Sequence, residues 1–252
     1  MSGEWEGVDL ADDVLEVFAV PFGHFLAWMD SVWTPGKHIA LCGPTGEGKS
    51  TLAVHLLKQR KWVMALDAKG EDDTLEASGF VRITSFPLPR KIRNDIADGK
   101  PARLIIGGSS RTDREERQLR ELMRQAIAMV RQQGGWTIYA DEFQVLADLR
   151  MFGLGKQIEQ LLITARKNRT SVVTSFQAPA WVPKASTRQS SMIFMWPTRD
   201  INMIKSVAEA AGRPWRALLE AIRVLPKYYV LAIPSDVHAP LVLVHPPKVS
   251  KK

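Results

Sequence analysis

"HIALCGPTGEGKSTLAVHLLKQR", residues 38–60, is the stretch whose reading decides the fold. The apolar run HIALC leads into a turn that holds Gly43, Gly46, Gly48 and Pro44, and Lys49 and Ser50 follow at once at the head of a helical pattern. Glycines let successive backbone N–H groups turn inward without Cβ clashes, and a helix N-terminus adds partial positive charge, so the stretch suits a cradle for phosphate oxygens. From Gly43 to Ser50 the spacing is GxxxxGK followed by Ser or Thr, with a strand expected before it and a helix after it. Lys49 brings a mobile positive charge to β- and γ-phosphates, and the Ser50 hydroxyl can ligate magnesium. The loop from Gly43 through Pro44, Thr45, Gly46, Glu47 and Gly48 to Lys49, Ser50 and Thr51 is therefore the candidate site for ATP and Mg2+.

Working outward, short Val- and Ile-rich runs alternate with helical patterns, the signature of a mostly parallel sheet flanked by helices. The runs are HIALC (38–42), WVMALD (62–67), ARLIIGG (102–108), WTIYAD (136–141), SVVTSF (171–176) and SMIFMW (191–196). Near the end, KYYVLAIP and PLVLVHP around SDVHA predict a C-terminal β-hairpin. Residues 1–36 lack strand periodicity and end in the turn-like TPGK, so they are expected to form a short helical lead-in packed on an α/β P-loop NTPase domain over residues 37–252.

Binding a triphosphate is not hydrolysing it; hydrolysis needs acids at the end of another buried strand. WTIYADEF has them. Asp141 is suited to hold magnesium, and Glu142 to polarise a water for in-line attack on the γ-phosphate. A solvated Asp-Glu pair opening a loop would look the same in isolation, but the phosphate loop about ninety residues upstream leaves room for two crossover units between them.

Taken in order, GPTGEGKS, ALDAKGE, YADEF, TARKNR and TSFQAP resemble the HerA/FtsK superfamily of DNA-pumping ATPases, which includes conjugative coupling proteins and some viral genome-packaging motors. The likeness covers roughly residues 37–180, and its specificity lies in the last four motifs. The resemblance implies that Asp67 and Lys69 occupy a turn near the phosphates, unless they are simply solvated turn charges. It implies that Gln177 is a sensor of the γ-phosphate or attacking water; Ala178 stands where the family usually has Arg. It also implies that Arg166 first, or Arg169, reaches the neighbouring subunit's nucleotide, although basic residues in a last helical turn also offset the helix dipole.

Segment 111–133 predicts an amphipathic helix with Leu119, Leu122, Met123, Ala126, Met129 and Val130 on its core face. Arg117, Arg120, Arg124 and Arg131 line another face; interspersed acids favour a salt-bridged solvated surface over a DNA-binding one. The loop GGSSRTDR before it is a candidate for contacts to a DNA backbone. Net charge is +7, compatible with a polyanionic partner. One cysteine, no secretory leader and no clean apolar run of about twenty residues point to a cytoplasmic chain without a membrane span, in the host cytoplasm if the source is viral. The histidines are scattered, and no Cys-His metal spacing is present.

Residues and resemblance together lead to an expectation: an ATPase that translocates double-stranded DNA as a homo-oligomeric ring of about five or six subunits. The absence of an appended DNA-reading or nuclease module favours viral genome packaging on a portal or other channel protein. A conjugative DNA-transfer ATPase, or a P-loop switch or loader acting on a protein partner, is the alternative.

Overall fold

In chain order the elements are β1 (Val17–Ala19), α1 (Phe22–Val32), β2 (His38–Cys42), α2 (Lys49–Leu57), β3 (Trp62–Asp67), α3 (Asp73–Ala77), β4 (Val81–Ile83), α4 (Arg90–Ala97), β5 (Ala102–Gly107) and α5 (Asp113–Gln133). They continue with β6 (Thr137–Ala140), α6 (Phe143–Ala147), α7 (Gly155–Thr164), β7 (Ser171–Phe176), α8 (Ala185–Arg188), β8 (Ser190–Met195), α9 (Ile201–Ala211), α10 (Trp215–Arg223), β9 (Val230–Pro234) and β10 (Leu241–Val244). This computed structural model describes residues 15–68, 70, 73–108, 112–164, 167–178 and 182–249; Lys69, Arg166 and residues 109–111 of the GGSSRTDR loop lie outside the described residues.

All ten strands join one sheet in the order β1-β10-β9-β8-β2-β7-β6-β3-β5-β4. The block from β8 to β4 is parallel, and the hairpin β9–β10 adds the antiparallel pairings. Period two sorts the side chains: Ile39, Leu41, Val63, Ala65, Tyr139 and Val173 face the layer with α1 and α2. Ala40, Cys42, Met64, Leu66, Ile138, Ala140 and Val172 face the layer with α5, α7, α9 and α10. Burial on both faces is why the central strands read as continuous apolar runs.

Within the described part of the expected lead-in, α1 buries Phe25 and Met29 fully. Val17–Ala19 forms an edge strand parallel to β10, so this segment also extends the sheet. Helix α5 starts with a capping box, Thr112 Oγ1 accepting from Glu115 N at 3.2 Å and Thr112 N donating to Glu115 Oε2 at 3.0 Å. Leu119, Met123, Ala126, Ile127 and Val130 are its buried residues; Leu122 and Met129 only rim the core. On its outer face Arg120 pairs with Glu116 at 2.7 Å, in keeping with a salt-bridged surface. No helix among the described residues is long and apolar enough to cross a membrane.

Candidate active site

The phosphate loop leaves the C-terminal end of β2, and Gly43 N donates to the Phe176 carbonyl at 3.3 Å, tying the loop to β7. Beneath it lies Trp196, fully buried and hydrogen-bonded through its backbone N to the Cys42 carbonyl at 3.1 Å. A Cβ at position 43 would sit 2.7 Å from Trp196 Cβ, so only glycine lets the two backbones approach this closely. Gly48 ends the turn at φ 101°, a left-handed conformation that glycine adopts without strain, and α2 begins with no side-chain cap. Its first N–H groups therefore need an outside acceptor, unlike those of α9, where Asp200 accepts from Asn202 N and Met203 N. Lys49 Nζ bends back over the loop and donates to the carbonyls of Gly43 at 2.8 Å and Pro44 at 2.7 Å. Burial pushes the Cys42 thiol up, which leaves it uncharged and inert under the loop.

Strand parity assembles the rest. One residue beyond the paired row Leu66–Ala140–Thr174, the chain places Asp67, Asp141 and Ser175 side by side on β3, β6 and β7, and Ser175 pairs with Leu41 of β2. All three have the parity of the side chains that face α2, so all three line one cleft of about 450 Å³ with Thr45, Gly46, Gly48, Lys49, Ser50 and Thr51. Glu142, Gln144, Phe176 and Gln177 close it on the β6 and β7 side. Strand β7 thus lies between the strand that feeds the loop and the strand that carries the acids.

Glu142 stands at φ 46° and ψ 56°, an unusual state for a residue with a Cβ, held by the buried Phe143 that follows and by Val145 N donating to the Glu142 carbonyl at 2.7 Å. Asp67 is 1% exposed; it accepts from Gly70 N at 2.9 Å and faces Arg82 of β4 at 3.7 Å, which makes it a turn-shaping carboxylate rather than a solvated charge. Sequence reasoning left two lining residues, Gln144 and Ser175, and one residue behind the lining, Tyr139, unassigned. The Tyr139 hydroxyl donates to Asp141 Oδ1 at 2.8 Å, and the buried oxygens Ser175 Oγ and Gln144 Oε1 have no hydrogen-bond partner among the described residues. Period two, counted outward from the apolar strand residues, was the signal that could have found Tyr139 and Ser175.

The structure thus brings Lys49, Ser50, Asp141, Glu142 and Gln177 together and keeps Arg169 away from them. Arg169 precedes β7 at φ 54°, whereas Gln177 follows it. Six strand residues at about 3.3 Å each separate the two by roughly 20 Å. Magnesium fits the donor set as a hard, oxygen-seeking ion: Ser50 and Asp141 face one cleft, and no cluster of three or more His, Cys, Asp or Glu exists among the described residues to form an all-protein cage.

A glycine turn between strand and helix, a Lys-Ser pair at the helix head and an acidic pair two strands away define a P-loop NTPase. The sequence matches no family model and no curated protein, but solved structures share its fold. The chain is similar to the DNA-packaging ATPase of Sulfolobus turreted icosahedral virus, with a TM-score of 0.58 and 18% identity over 85% of this chain and 99% of that one. It is similar to VirB4 of Thermoanaerobacter pseudethanolicus (TM-score 0.57, 10% identity, 84% and 89% covered). The pCW3 conjugation coupling protein TcpA, solved with an ATP analogue, aligns at a TM-score of 0.50 and 16% identity over 86% of this chain and 60% of that one. The chain shares its fold with these ATPases, the fold that the order of motifs led one to expect.

Proposed function

We propose that this chain is an ATP-hydrolysing motor that translocates double-stranded DNA as a ring oligomer, and that it serves viral genome packaging. One observation carries the reading: the loop Gly43–Thr51, the pair Asp141–Glu142 and the strand end Ser175–Gln177 share one cleft in a fold that matches the viral packaging ATPase over 99% of its length.

The chemistry follows from the residues. Backbone N–H groups of the loop and the α2 N-terminus hold the phosphates, and Lys49 leaves its two carbonyl partners to meet the β and γ oxygens. Ser50 and Asp141 hold magnesium, which when bound neutralises charge on those oxygens. The Glu142 carboxylate accepts a hydrogen bond from the attacking water and takes up its proton, while Ser175 and Gln177 donate to the γ-phosphate. Arg166 or Arg169 of the next subunit supplies the remaining positive charge; about 20 Å is too far for Arg169 to serve its own nucleotide.

ATPase rate with and without long double-stranded DNA tests the reading. Strong stimulation by DNA, lost in Glu142→Gln while nucleotide binding persists, is the expected result. Stimulation by a protein partner alone would instead mark a switch or loader, and turnover that survives Glu142→Gln unchanged would remove Glu142 from the mechanism.

A further inference from the structure

A carboxylate on the floor of a phosphate site repels the anion that the site has to hold. Asp67 is such a group. It lines the cleft with Lys49 and Asp141 and is almost wholly buried. In the strand order β2-β7-β6-β3 it stands beyond Asp141, at the end of the cleft where the role given to Glu142 puts the γ-phosphate. Among the described ion pairs, only that of Asp67 with Arg82 has a buried member; the rest join partly or well exposed groups.

The sheet delivers that guanidinium from its edge. Arg82 stands on β4 opposite Ile105 of β5, and Asp67 ends β3 opposite Gly107 of the same β5. Ile105 packs on the α2 layer, so period two puts Arg82, Gly107 and Asp67 on the cleft face. To reach Asp67 the side chain has to cross β5 at position 107. A Cβ there would lie 2.6 Å from Arg82 Nη1 and 2.9 Å from Asp67 Cβ, so glycine keeps the passage open. Before the crossing, Arg82 Nε donates to Glu76 Oε1 of α3 at 2.5 Å; beyond it, Nη2 lies 3.7 Å from Asp67 Oδ2. Nη1 is buried and has no hydrogen-bond partner among the described residues. What holds this end of the guanidinium over the gap is charge more than hydrogen bonding.

We propose that Arg82 is the counter-charge that admits a triphosphate to this cleft, a positioning residue that acts through Asp67 by offsetting its repulsion of the γ-phosphate. The proposal rests on reading Gly43–Thr51 as a triphosphate cradle. Calorimetric titration of the full chain with ADP and with a non-hydrolysable ATP analogue, both with magnesium, tests it. Arg82→Met keeps a long side chain and removes the charge. It weakens the ATP analogue about tenfold or more, the scale of one uncompensated unit charge across several ångströms of a cleft, and weakens ADP less. Arg82→Lys, which keeps a cation, retains most of the affinity. Asp67→Asn preserves an acceptor for Gly70 N and binds the analogue at least as tightly as wild type. The double variant Asp67→Asn with Arg82→Met regains the affinity lost in Arg82→Met, because the charge that needed an offset is gone. A purely structural clasp gives the opposite: an equal loss for both nucleotides that persists in the double variant. That result overturns the counter-charge, as does unchanged affinity in Arg82→Met. A loss in Asp67→Asn alone as large as that in Arg82→Met also overturns it and makes Asp67 a direct ligand. Failure of wild type to bind either nucleotide overturns the cradle itself, and the proposal with it.

Discussion

The Tyr139 hydroxyl donates a hydrogen bond to Asp141 Oδ1 at 2.8 Å, two residues on and just past the end of β6. The donor fixes the carboxylate's rotamer without contacting the nucleotide, which makes Tyr139 a positioning residue. Tyr139→Phe keeps the buried ring and removes only this bond. The magnesium concentration needed for half-maximal ATPase should rise by about 10- to 100-fold, as for other groups that orient a metal ligand. An unchanged magnesium requirement would show that Asp141 holds its place unaided.

Ser175 lies in the row between Leu41 of β2 and Asp141, and its Oγ is buried without a partner among the described residues. A lone buried hydroxyl is a standing penalty of about 1–3 kcal/mol, relieved when an acceptor arrives. Ser175→Ala should therefore stabilise the nucleotide-free protein or leave it neutral to thermal melting, and slow ATP turnover by about tenfold or more. Turnover equal to wild type would leave Ser175 as a packing residue.

Arg169 lies roughly 20 Å from Gln177 along β7, so in the ring proposed above its charge would act on the neighbouring subunit's nucleotide. Glu142→Gln protein mixed with Arg166→Ala or Arg169→Ala protein, each inactive alone, should recover activity. Random pairing in a 1:1 mixture restores about a quarter of the sites. The arginine whose variant complements is the one that acts in trans, and silence from both mixtures rules out each.

His38, 4% exposed at the start of β2, accepts from Val172 N at 3.0 Å through Nδ1. Burial lowers its pKa from 6.5 to about 4, with a hydrogen bond to the Leu162 backbone partly opposing the shift. Between those values the unfolded chain takes up a proton that the folded chain refuses. Stability contributed by the neutral ring is complete above pH ~6.5 and is lost as pH falls toward ~4, by up to about 3 kcal/mol. Urea denaturation at pH 7 and pH 5 measures the loss, and His38→Gln should flatten it.

The apolar runs located the central strands because both sheet faces are buried there; β7 covers the quoted residues 171–176. Strands β1 and β4 were not legible for the opposite reason. Each has three residues, too few to display a period, and each leaves an apolar side chain half exposed at a sheet edge, Phe18 in β1 and Val81 in β4. Gly43, Lys49, Ser50, Asp141 and Glu142 could be read as motifs because chemistry fixes their spacing. Tyr139 and Ser175 belong to no motif: period two puts both on the cleft face, but that Ser175 stands beside Asp141 depends on which strands become neighbours. Arg166 and Arg169 were legible only by resemblance, and the distance between Arg169 and its own cleft is a property of the folded sheet.

Trp196 has a use beyond support of the loop. Its indole packs under Gly43, its Nε1 lies near Gly48, and that N–H is buried without an acceptor among the described residues. A loop that shifts its carbonyls to receive phosphates changes the polarity around this ring and so its fluorescence. The difference between the emission of wild type and Trp196→Phe on adding nucleotide is then an optical record of the loop closing, obtained without any attached dye.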